Sequence, residues 1–136
     1  MRKEITIDAT VENMTVVNDF IDELLASFAV SMKKRMQLDL VVEEIFVNIA
    51  HYAYGEQTGK AYLQGTVSDE PTTIELIFCD EGIPYNPLEQ KDPNIEASVE
   101  ERQIGGLGIF LVKKNVDNIA YEYKDGKNIL TIKKNL

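Results

Sequence analysis

The chain has 136 residues, 44% hydrophobic and 27% charged, a length and composition that fit one domain, residues 1–136, with a real core rather than two. A formal charge of −9 with no basic patch disfavours nucleic acid, and the single cysteine and single histidine exclude an internal disulfide and a zinc cluster. No apolar run approaches the ~20 residues of a membrane span and MRKEITIDAT has no signal-peptide core, so a cytoplasmic protein without a membrane partner is expected.

In chain order, Glu4 to Ile7 reads as a short strand. A helix follows from the cap residue Thr10 to about Phe28, with Met14, Val17, Phe20, Ile21, Leu24 and Leu25 as its buried stripe. Ser31 is a second cap, and Lys33, Lys34 and Arg35 fall in the turn after it, facing solvent. The stretch Met36 to Tyr54 is the central helix. Its apolar stripe is Leu38, Val41, Val42, Ile45, Ile49 and Tyr52, and Gly55 closes it. Glu44 and Asn48 stand one turn apart beside that stripe, either as a solvated polar edge or as the border of a pocket.

GEQTGK at 55–60 is one residue short of a phosphate-binding P-loop and puts Ala61 where the hydroxyl belongs, so it reads as a turn. Two strands follow, Ala61 to Val67 and Thr72 to Cys79. In the second, Ile74, Leu76 and Phe78 share one face, and the strand delivers Asp80 to its carboxyl end. Asp80-Glu81-Gly82 fits a plain turn. It also fits a carboxylate that accepts a hydrogen bond from an exocyclic amine, with glycine allowing a flat ligand close. Residues 88–103 are polar and acidic and read as a mobile connection or lid. Gly105, Gly106, Leu107 and Gly108 open an apolar helix, either as a phosphate site at a helix N-terminus or as a hinge. A hairpin closes the chain, Asn118 to Tyr123 and Asn128 to Lys133, turning at Asp125-Gly126.

The three separated segments VVEEIFVNIAHYAY, CDEGIPYNP and GGLGIFLVKKNVD together resemble the GHKL superfamily of Bergerat-fold ATPases. More narrowly, they are similar to the stand-alone anti-sigma-factor serine/threonine kinases. The resemblance implies an α+β two-layer sandwich, a mixed sheet with helices packed on one face, and an ATP lid at about 86–108. It implies ATP and Mg²⁺ as cofactors, with Asn48 as the metal ligand and Glu44 as the general base. Asp80 would read the adenine amine with Gly82 close to the ring, and Gly105, Gly106, Leu107 and Gly108 would surround the phosphates. Arg102 falls about where this branch holds an arginine near the γ-phosphate, though an arginine exposed in an acidic lid fits the same position.

The activity so implied is a protein serine/threonine kinase acting on an anti-sigma-factor antagonist in a partner-switching pathway, with a sigma factor as the other partner. Relatives commonly form a homodimer through a sheet edge and the first helix. Two rivals stay open: an ATP-binding switch without phosphoryl transfer, and a kinase with a non-sigma target. His51 departs from the branch pattern and is given no catalytic role. Asn128, near a position where the superfamily often has threonine, is not counted as a site residue.

Overall fold

A computed structural model describes residues 1–89 and 106–136. Alternation of apolar and polar residues sets five strands: β1 (Arg2–Asp8), β2 (Lys60–Ser68), β3 (Thr73–Asp80), β4 (Asn118–Lys124) and β5 (Lys127–Asn135). They form one sheet in the order β1-β2-β3-β5-β4, and every pairing is antiparallel. The mixed sheet expected from the resemblance is therefore corrected. β4 does run parallel to β3, but the two do not pair. The connection between them skips one place, and the hairpin strand β5 fills the gap antiparallel to both. Asp125 and Gly126 make that hairpin turn, with φ of 54° and 77°, the left-handed pair that matches the twist of the strands.

Among the described residues, three helices cover one face of the sheet: α1 (Met14–Leu25), α2 (Met32–Asn48) and α3 (Gly106–Asn115). The first begins later than Thr10 because residues Val11–Asn13 form a 3₁₀ turn instead, and the Thr10 side chain makes no capping bond. Of its expected stripe, Val17, Phe20, Ile21, Leu24 and Leu25 are buried, Val17 and Leu24 fully, while Met14 is half-buried. Ser31 does cap α2, its Oγ accepting from the Lys34 backbone N–H at 3.2 Å. Into the shared core go Leu38, Val41, Val42, Ile45 and Phe46 from α2, Ile109 and Val112 from α3, and the inward residues of β2, β3 and β5. Phe46 lies outside the six-residue stripe read from the sequence. It is buried because α2 packs against helices on both flanks as well as facing the sheet, which widens its apolar arc.

Arg35 is not the solvent-facing cation its basic neighbours suggest. Its Nε donates to Asp39 Oδ1 at 2.9 Å, and its guanidinium also pairs with Asp22 on α1. Burial alone would lower its pKa, but the bonds to Asp39 and Asp22 outweigh that and raise it. Replacing Arg35 with alanine is expected to cost about 1 kcal/mol, read as a lower urea midpoint at an unchanged m-value, because the α1–α2 tie is partly screened by solvent. Lys134 is buried at 3% exposure and donates to Gln37 on α2 at 3.1 Å and to the carbonyl of Asn115, the last residue of α3. It fastens the rear end of α3 to α2.

Candidate functional site

The central helix does not run regularly to Gly55. After Asn48 it loosens into a π-helical turn, Ile49–Ala53, and ends at Tyr54, with Gly55 at φ 62° closing it. Turns of this kind often occur where a helix borders a functional site. The extra residue in the turn rotates Tyr52 out of the apolar stripe assigned to it. It is 46% exposed and stands on the wall of a cavity. The Ala53 carbonyl accepts from the Ile83 backbone N–H at 2.9 Å. Gly82 packs so closely on this turn that an added Cβ would lie 2.1 Å from the same carbonyl oxygen. The Tyr54 hydroxyl accepts from the Glu81 N–H at 2.8 Å and donates to the Lys60 carbonyl. Thus the end of the central helix holds the loop that follows β3, and Gly82 spends its missing side chain on the protein's own backbone.

Asp80, 7% exposed at the end of β3, lies directly across from Asn128 at the start of β5. Its Oδ1 accepts from the Gly82 N–H and from Asn128 Nδ2, both at 2.9 Å. The Asn128 amide also donates to the Ile83 carbonyl at 2.9 Å, while its oxygen accepts from the Tyr85 N–H at 3.1 Å and from the Tyr121 hydroxyl. Burial raises the Tyr121 pKa, so that phenol remains a donor. With Oδ1 fully engaged, Oδ2 is the Asp80 oxygen left to accept from a ligand.

These groups share a cavity of about 230 Å³. Asn48 at the end of α2 and Asp80 on β3 both line it, with Phe78, Ile109 and Leu130 among its apolar walls. No described residue hydrogen-bonds the Asn48 carboxamide. Glu44, one turn earlier, reaches toward α3, where an added Cβ on Gly108 would lie 2.2 Å from its Oε2. Gly82 lies behind the lining, against Ala53. Gly106 is the first residue of α3 and Leu107 the second. Arg102 and Gly105, and most of the lid expected at 86–108, lie outside the described residues. His51 is exposed, edge-on to Tyr52 with ring centroids 5.9 Å apart.

Among the residues that sequence reasoning left out are Asn128, which lines the cavity with Tyr85 and Tyr121, and Tyr54, which holds the loop after β3. Asn128 had a signal, two residues past the Asp-Gly turn on the inward face, but its register against Asp80 is a tertiary fact. Tyr54 had none beyond its place at a helix end.

The sequence model of the family described as Histidine kinase-like ATPase domain matches residues 7–134. The chain belongs to that family. Among curated relatives of this histidine kinase-like ATPase domain, the serine/threonine-protein kinase BtrW of Bordetella bronchiseptica is 28% identical over 102 residues, 75% of this chain and 71% of the relative. The serine-protein kinase RsbW of Bacillus cereus is 28% identical over 71% of this chain and 61% of its own length. The anti-sigma F factor of Clostridium acetobutylicum is 25% identical over 81% and 78% of the two chains. The crystal structure of the RsbU and RsbW domains of Rv1364c from Mycobacterium tuberculosis superposes on the whole chain with a TM-score of 0.69 at 14% identity. This chain spans 32% of that one, and the likeness concerns the fold. The names of these relatives agree with the resemblance drawn from the three sequence segments.

Proposed function

We propose that this domain binds ATP with Mg²⁺ in the cavity between α2, β3 and α3 and transfers the γ-phosphoryl group to a serine or threonine of an anti-sigma-factor antagonist. The observation that carries the reading is the meeting of Asn48 and Asp80, from separate motifs, in one cavity, with Glu44 one turn away against α3. The names of BtrW and RsbW support a protein kinase at family level, and that of the anti-sigma F factor supports an anti-sigma role.

A carboxylate accepts hydrogen bonds and donates none, so the Asp80 Oδ2, which no described residue engages, suits an exocyclic amine such as that of adenine and opposes a carbonyl at the same place. The residues present fit a magnesium site of the nucleotide-dependent kind. Among the described residues no group of three or more His, Cys, Asp or Glu is placed to hold a metal, while Asn48 lines the cavity and no described residue hydrogen-bonds its carboxamide. When bound, the metal would be held on the protein side by Asn48 and would neutralise phosphate charge. Glu44 takes the proton of the attacking hydroxyl as the new O–P bond forms. The bond from the γ-phosphorus to its bridging oxygen breaks, and ADP leaves with that electron pair. Gly105, Gly106, Leu107 and Gly108 offer backbone N–H groups to the phosphates, and Arg102 spreads the transition-state charge.

The biological role proposed is partner switching, with a sigma factor as the second partner and a homodimer as the working unit. The test is incubation with γ-labelled ATP and Mg²⁺ beside a small antagonist protein encoded near this one. Label on a serine or threonine of that protein is the expected result. Tight ATP binding with no labelled acceptor would instead mark a switch without phosphoryl transfer, and label on an acceptor from another pathway would remove the sigma-factor role.

A further inference from the structure

Among the glycines at the start of α3, Gly108 is the third residue of the helix, within its first turn, and it is not there for backbone freedom. Among the described glycines only Gly55 and Gly126 have positive φ, and glycine in an ordinary helical conformation is disfavoured. Donation to phosphate uses the backbone N–H, which alanine keeps, so a phosphate role would need glycine here only for close approach of the ligand, which ATP affinity reads. What the missing side chain provides is room. The three heavy atoms nearest an added Cβ all belong to Glu44: Oε2 at 2.2 Å, Cδ at 3.1 Å and Cγ at 3.8 Å.

We propose that Gly108 is a positioning residue for the Glu44 carboxylate, its bare Cα forming the wall of the slot in which that carboxylate is held. This rests on the reading of Glu44 as general base and goes beyond it. The neighbouring packing decides which group yields when the slot is narrowed. Ile109 and Val112 are buried in the core, and Lys134 joins the rear of α3 to Gln37 of α2, so the helix is held against α2. Glu44, by contrast, is a flexible side chain with no ion pair or hydrogen bond to a described residue. A methyl group at 108 therefore leaves the fold in place and turns the carboxylate out of line. At Gly82 the outcome differs, because the obstruction there is the Ala53 backbone, which cannot swing aside.

The test compares four proteins: wild type, Gly108→Ala, Glu44→Gln and the double variant. The probe is γ-labelled ATP with Mg²⁺ and water as the acceptor, read as phosphate released in a single turnover, beside ATP affinity by calorimetry and thermal midpoint. Gly108→Ala is expected to lose roughly 30-fold in rate, since a base displaced by about an ångström forfeits much of its contribution. Its ATP affinity should stay within about 3-fold and its thermal midpoint should not fall, a pattern that separates base placement from phosphate binding or folding. In the Glu44→Gln background the same methyl should change the rate by less than about 3-fold, because no base remains to be displaced. An undiminished effect of Gly108→Ala in that background overturns the positioning role while leaving Glu44 as base. A loss of ATP affinity matching the loss of rate assigns Gly108 to the phosphates and overturns it also. Wild-type turnover in Glu44→Gln, or no release by the wild type, removes the base reading and this inference with it.

Discussion

Glu44→Gln will keep ATP bound and lower phosphoryl transfer to the antagonist by on the order of 10²-fold or more. Glutamine has the size of glutamate and fits the same space beside Gly108, so the contact between α2 and α3 survives. The native carboxylate makes no ion pair or hydrogen bond with any described residue, and its replacement leaves no buried partner unsatisfied. What disappears is the capacity to accept a proton from the attacking hydroxyl. The expected signature is a fall in kcat with nucleotide affinity and melting temperature unchanged. Glu43→Gln is the matched control: Glu43 is exposed, about 100° around the helix, and its loss should leave turnover within about 2-fold. Near-normal transfer by Glu44→Gln would end the assignment of a general base and favour an ATP-dependent switch without chemistry.

The parts of the fold readable from the sequence are those governed by local periodicity. The stripe of α1, most of that of α2, the alternation of β3 and the Asp-Gly hairpin all depend on neighbours within a few residues, and each stands where its spacing placed it. The misreadings share the opposite cause. Tyr52 leaves the stripe because one π turn breaks the 3.6-residue period, and Arg35 turns inward because Asp22, on another helix, meets it. Whether β3 and β4 pair depended on where β5 inserts, which no local pattern encodes. Asn128 shows the same limit at the site. Its place across from Asp80, and hence its hold on Oδ1, follows from the β3–β5 register, whereas Asp80 stands at the end of an apolar strand and Asn48 one turn from Glu44 beside an apolar stripe, patterns that lie within the local sequence.

Asn48→Ala is expected to abolish the Mg²⁺-dependent part of ATP binding, weakening affinity by on the order of 100-fold, about 2.7 kcal/mol. Asn48 is the last α-helical residue before the π turn, half-buried at the cavity wall, and no described residue holds its carboxamide. Truncating it should therefore leave stability nearly unchanged, unlike removal of the bonded amide of Asn128. The structural logic lies in charge: a neutral amide oxygen is enough for a metal only when the nucleotide supplies the anionic oxygens, so metal and ATP are expected to bind as a pair. The cleanest measurement is calorimetry with and without a chelator. Wild type should bind much more tightly with Mg²⁺ than with chelator, and Asn48→Ala should bind weakly and alike in both, its residual affinity coming from Asp80 and the apolar walls. An Asn48→Ala protein that keeps the full Mg²⁺ enhancement would place the metal on other residues, and the amide would then be one more polar group on the rim of the cavity.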